Sequence, residues 1–197
     1  MLPLFPYNGL LRPALMLLAI GLSFFLLHRT RNKPCYRKLL LLTYLGYAFF
    51  LLYATFLSRS VAQFYSYRLE LMRSARNAFS VDGGIWSLIH GDFAAIRLDS
   101  PQSLEGILIN LLLMAPVGYL LPMAAAVRGK AVRCWQVVLC GASLSAAIEI
   151  VQLITRLGML DVDDWVFNTV GTAIGYFLYR HFFRQFFRQE EKGRDIR

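Results

Sequence analysis

Between Ser145 and Gly175 the chain sets a Glu, a Gln, an Arg, three Asp and an Asn among residues that are otherwise apolar. At 3.6 residues per turn, Ser145, Glu149, Gln152 and Arg156 fall at steps of four, three and four, which is one stripe of a helix. After a short acidic turn, Asp164, Asn168, Gly171 and Gly175 repeat that spacing on a second helix. Carboxylates and carboxamides in apolar helices are costly unless they pair or face water, so they mark a candidate site. The competing role is interhelical hydrogen bonding, with Gln152 and Asn168 as paired amides that hold two helices together. Glu149 is the candidate for acid–base work, with burial, the aspartates above it and Arg156 competing to set its protonation. Asp161, Asp163 and Asp164 supply the oxygen ligands that a hard cation prefers, though acids at a helix start also cap it, and capping is the role expected of Asp164. The sequence offers no Ser/His/Asp set, no Cys nucleophile in context, no phosphate-binding glycine loop and no zinc motif, so no cofactor is expected.

These residues need a membrane frame. The 197-residue chain is 57% hydrophobic and 17% charged, with a mean hydropathy of +0.48. That composition belongs to an integral membrane protein rather than a soluble domain. Five stretches approach the length a bilayer requires: Leu10–His28, Leu39–Leu57, Leu104–Val127, Cys134–Ile154 and Trp165–Phe183. The expected fold is all-α: a polytopic helical bundle of about five transmembrane helices, forming one membrane domain over residues 1–197.

The net charge of +9 suggests nucleic acid only until it is mapped. Arg29, Arg31, Lys33, Arg37 and Lys38 follow the first span; Arg128, Lys130 and Arg133 follow the third; Arg180 and the basic tail 184–197 end the fifth. All fall on one side of an alternating chain, so the positive-inside rule puts the N-terminus outside and the C-terminus in the cytoplasm. Nucleic acid is not needed, and the Phe-rich basic tail fits anionic headgroups. The first span has its positive charge after it, the reverse of a cleaved signal peptide, so it is read as a retained anchor. Cys35, Cys134 and Cys140 all avoid the outer loops, and no disulfide framework is expected.

The long connection 58–103 then lies outside. Val61, Phe64, Tyr65, Leu69 and Met72 recur at helical spacing, predicting an amphipathic interfacial helix. IWSLIHGDF, with Trp86 and Phe93, predicts a second surface or re-entrant piece, and His90 within it lacks a metal-ligand partner. In the third span Pro116 is expected to loosen the helix beside a cavity. Asn110, Glu149 and Asn168 fall at similar depth below the outer face, Asn110 about 9 Å in. Arg59, Arg156 and the aspartates lie at the mouth above them.

With these positions in hand the chain resembles the VanZ-like membrane family over roughly residues 40–180. The resemblance rests on NLLLMAPVGYLLP (Asn110–Pro122), S-x-x-x-E-x-x-Q (Ser145–Gln152) and R-x₄-D-x-D-D-x₃-N-T-x-G-x₃-G (Arg156–Gly175). Arg59, Asn110, Pro116, Glu149, Gln152, Asp163, Asp164 and Asn168 match the family's recurring positions. The resemblance implies a bacterial plasma-membrane protein, since the founding members are linked to teicoplanin resistance. The expected function is an outer-leaflet polar cavity binding a lipid-linked cell-wall precursor or an amphipathic lipoglycopeptide. Its candidate ligand-binding residues are Arg59, Asn110, Glu149, Gln152, Arg156, Asp163, Asp164 and Asn168. The alternative is an enzyme modifying a lipid headgroup, with Glu149 as general base.

Overall fold

The computed structural model describes residues 10–59, 61, 67–81 and 96–183. Helix α1 (Leu11–Thr30) is followed by a turn through Pro34 and by α2 (Tyr36–Leu52), which continues as a π-helical turn (Tyr53–Leu57). The connection beyond holds a short strand β1 (Tyr67–Arg68), a helix α3 (Arg73–Ala78) and strands β2 (Phe79–Val81) and β3 (Ile96–Leu98). Helices α4 (Pro101–Val127) and α5 (Cys134–Thr155) follow, then strand β4 (Leu160–Asp161) and α6 (Val162–Phe182). Helices dominate, as expected of an all-α bundle. β1 pairs in parallel with β4, and β2 antiparallel with β3.

Among the described residues, four helical stretches are long and apolar enough to cross a membrane: Leu11–Thr30, Tyr36–Leu57, Pro101–Val127 and Cys134–Thr155. The stretch expected as a fifth span, Trp165–Phe183, falls on α6, which is 21 residues long but carries Asp163, Asp164, Arg180 and His181 in its end turns. Helix starts follow their caps. The Ser100 hydroxyl accepts from the Ser103 amide with Pro101 at the first helical position, so α4 begins three residues before Leu104. Asp161 likewise accepts from the Asp163 amide at 3.0 Å, drawing the start of α6 back from Trp165 to Val162.

Helix α4 is the axis of the bundle. Of its most apolar stretch 61% is buried, against 11% for α1 and 17% for α2. The outward faces of α1 and α2 expose Leu18, Leu22, Leu41, Leu42 and Phe49, a surface suited to lipid. Buried packing changes along the axis. An aromatic-rich cluster around Tyr36, Tyr119, Tyr176, Tyr179 and Phe183 fills the end carrying the basic turns. A smaller one of Leu51, Leu113, Met114, Val117 and Ile148 fills the middle. Beside Pro116, α1, α2 and α4 line a half-open apolar pocket of about 420 Å³. There the Tyr47 hydroxyl donates to the Leu113 carbonyl at 3.0 Å, and α4 runs unbroken through Pro116 and Pro122.

The closest approach joins α4 to α6. A β-carbon on Gly171 would strike the Leu111 carbonyl, one on Gly175 the Ala115 carbonyl, and one on Gly118 the Thr172 carbonyl. These helices therefore touch backbone to backbone, the use of small residues typical of bilayers, where hydrophobic association is absent.

The expected amphipathic helix over Val61–Met72 is not borne out where it can be followed. Tyr67–Arg68 is extended, and Met72 adopts a left-handed conformation (φ +59°) before α3 begins at Arg73. Pairing with β4 and bonds from Met72 and Ser74 to Asp163 override the apolar spacing. Phe64, Tyr65, the IWSLIHGDF stretch with Trp86, His90 and Phe93, the tail 1–9 and the basic tail 184–197 lie outside the described residues.

The α4–α6 contact gives a direct expectation. Gly171→Ala and Gly175→Ala each overpack it and destabilise the protein by about 1–3 kcal/mol, read as a lower melting temperature in detergent. Gly21→Ala, which meets open space inside α1, leaves the melt unchanged or raises it slightly, since alanine favours a helix interior over glycine. Equal melts for all three variants would refute the contact.

Candidate functional site

The polar residues gather at the end of the bundle that meets β1 and α3, and the last turns of α5 organise them. Helix α5 ends on Arg156 in the left-handed conformation (φ +57°), with the Leu157 amide donating back to the Gln152 carbonyl at 3.1 Å. That reversal carries residues 157–161 back along α5. The Asp161 amide then donates to Glu149 Oε2 at 2.9 Å. Gly158 passes so close that a β-carbon there would lie 2.8 Å from Arg59 Nη1 and 3.2 Å from the Gln152 amide group.

Gln152 Nε2 donates to the Thr55 carbonyl at 2.9 Å in the π turn. That turn displaces the usual ladder: the Ser58 amide bonds to Tyr53, and the Arg59 amide to Phe56 rather than Thr55. Gln152 takes up the Thr55 carbonyl, and Arg59 emerges from the turn toward the acids. π turns of this kind recur at functional sites.

Each acid has a specific donor. Both Asp163 oxygens, fully buried, accept backbone amides, from Met72 at 2.5 Å and Ser74 at 2.6 Å. Asp161 caps α6 and meets Arg68 at 3.7 Å. Asp164 Oδ1 accepts from Asn110 Nδ2 at 2.5 Å, joining α6 to α4. Asp164 is therefore a cross-helix acceptor, and Asp161 takes the capping role expected of it. Arg59 lies within electrostatic range of both Glu149 and Asp164.

A cavity of about 550 Å³ opens among these groups, with Arg59, Arg68, Arg73, Asn110, Asp161 and Asp164 in its wall. Of the residues expected to bind a ligand, Arg59, Asn110 and Asp164 line it. Glu149, Gln152, Asp163 and Asn168 are buried behind the wall, and Arg156, half-buried at the end of α5, is also absent from the lining. Glu149 is only 6% exposed with its carboxylate on the Asp161 amide, so it faces the protein rather than the cavity. The expected Gln152–Asn168 pair does not form: Asn168 Nδ2 donates instead to Ser145 Oγ at 2.9 Å. The metal candidacy of Asp161, Asp163 and Asp164 also fails, because among the described residues no three acids, His or Cys converge. Their carboxylates diverge toward an amide cap, a loop backbone and α4.

Arg68, Arg73, Asn77, Gln102 and Ser103 join the lining without having been singled out as a site. Their signal was faint. Arg68 lies within, and Arg73 directly after, the stretch whose apolar spacing predicts a surface helix, and that spacing points to the apolar residues instead. Three guanidinium groups, two carboxylates and several amides and hydroxyls can hold a polar group that both donates and accepts hydrogen bonds.

Apolar helices around a buried polar layer make this a helical membrane protein. The chain belongs to the VanZ/LLP1 family, whose model matches residues 14–184. No curated protein and no solved structure matches it.

Asp163 anchors the connection to α6, and its removal tests that. Asp163→Ala strands two amides, at a cost of about 1–3 kcal/mol for each buried unsatisfied group. Amide hydrogen exchange around residues 72–76 rises while the middle of α4 stays protected. Unchanged exchange in that segment would show that the anchor is not needed.

Proposed function

We propose that this VanZ/LLP1 family protein acts in the bacterial plasma membrane, spanning it with about five helices. Its polar cavity opens on the outer leaflet and binds the polar head of a lipid-linked cell-wall precursor or of an amphipathic lipoglycopeptide. The consequence is reduced teicoplanin action at the cell surface, in line with the founding members of the family. The observation that carries this reading is the cavity itself. Arginine, carboxylate and amide groups surround about 550 Å³ at one end of helices whose outer faces are leucine-rich. A ligand with a polar head and an apolar body matches both surfaces.

The orientation has its own test. In a background without Cys35, Cys134 and Cys140, Asn77→Cys reacts with an impermeant thiol reagent in intact cells. Lys130→Cys reacts only once the membrane is opened. Both positions are exposed. The reverse labelling pattern would turn the cavity toward the cytoplasm and end this reading.

Function is tested in a susceptible bacterium with and without the protein, by surface binding of labelled teicoplanin and by whole-cell lipid analysis. If the cavity holds the lipid-linked precursor, the wild type lowers antibiotic binding and leaves lipid species unchanged; if it holds the lipoglycopeptide, antibiotic binding rises while susceptibility falls. Arg59→Gln and Asp164→Asn, at wild-type protein levels, restore binding to that of cells lacking the protein. Glu149→Gln, still able to accept from the Asp161 amide, keeps protection. Full protection by Arg59→Gln would remove the cavity from the mechanism. A lipid species whose appearance requires Glu149 would instead establish headgroup chemistry.

A further inference from the structure

The opposite end of the bundle carries a second concavity of different character. Leu41 of α2 faces Leu121 and Ala125 of α4 across an apolar groove of about 600 Å³, rimmed by Arg37, Arg128 and Lys130. It is separate from the polar cavity, with which it shares no residue.

Among the described residues no carboxylate pairs with these three cations. The chain has no Asp or Glu before Glu70, none between Glu105 and Glu149, and none between Asp164 and Glu190. Every ion pair among the described residues involves Glu70 or Asp161, at the far end of the bundle. The rim charge must therefore be met from outside the described fold. Apolar walls between two membrane helices make a poor home for water, which needs two to four polar partners. The occupant must supply hydrocarbon for the walls and negative charge for the rim.

We propose that this groove is a binding site for an anionic phospholipid, its acyl chain between α2 and α4 and its phosphate among Arg37, Arg128 and Lys130. Basic pockets between membrane helices hold acidic headgroups in this way. A neutral phospholipid fills the walls but leaves three positive charges uncompensated. Inorganic phosphate meets the charges but leaves the walls empty.

The test uses the full chain in neutral detergent, titrated with phosphatidylglycerol, phosphatidylcholine or inorganic phosphate and read by native mass spectrometry. Phosphatidylglycerol occupies one saturable site about tenfold or more tighter than phosphatidylcholine, and phosphate alone does not bind. The combined variant Arg37→Gln, Arg128→Gln, Lys130→Gln loses that preference. Ala125→Phe, which keeps every charge but fills the groove, loses the saturable site. Arg29→Gln with Lys33→Gln removes charge from the same end outside the groove and leaves the preference intact. The proposal fails if this last pair weakens phosphatidylglycerol as much as the rim variant does, or if the wild type does not discriminate between the lipids. Should the rim variant not fold, Ala125→Phe decides: undiminished phosphatidylglycerol binding with a wild-type melt overturns the site.

Discussion

The contact between the backbones of α4 and α6 is the constraint on which the other arrangements depend. Leu111 meets Gly171 and Ala115 meets Gly175, so the two helices run in the same direction, with the whole of α5 needed to return the chain between them. Contact this close sets Asn110 within reach of Asp164 and leaves Thr172 to fill the gap toward Gly141 of α5. In water, burial of leucine could hold such helices at a looser spacing. In lipid it contributes little between helices, and close packing with hydrogen bonds must substitute. Glycine at three facing positions is thus a requirement of the medium as much as of the fold.

On that frame the acidic residues act mainly as acceptors for backbone. Glu149 holds the Asp161 amide, Asp161 the Asp163 amide, and Asp163 the amides of Met72 and Ser74. The three link α5, the acidic turn, α6 and the connection carrying α3 in sequence. An ionised group taken from water is tolerated only where donors replace the lost hydration. That explains why so many carboxylates sit at one level without converging on a cation. It also separates two duties that look alike in sequence. Glu149 and Asp163 are spent on the scaffold, whereas Asp164, Asn110 and Arg59 present polar atoms to the cavity.

The distinction marks how far the sequence could be read. Hydropathy located the helices to within a few residues, and the stripe through Ser145, Glu149 and Gln152 does face the bundle interior. Stripe geometry gives the face of a helix but not the rotation of its neighbour. Gln152 and Asn168 both face the bundle interior yet bond to Thr55 and Ser145. The π turn that frees Thr55 for Gln152 has no composition cue. The connection was misread for a related reason. Its apolar spacing is genuine, but Asp163, 91 residues beyond Met72, fixes a local conformation that no window around Met72 contains. Long-range polar anchors in an aqueous connection override periodicity more readily than they do inside a span, where the backbone must satisfy itself.

The two ends of the bundle therefore obey opposite electrostatic rules. At the end bearing the connection, positive and negative groups occur together and the acids find donors within the protein. Its geometry is set by the chain, and a cavity there can stay open because its walls are tied from behind. At the other end the long stretches without an acid leave arginine and lysine to be matched by the surroundings. A charge of one sign near a bilayer draws anionic headgroups to it, which is the physical ground for the lipid site proposed there. The polar end is therefore set by contacts within the chain, while the basic end carries cations that no described carboxylate meets.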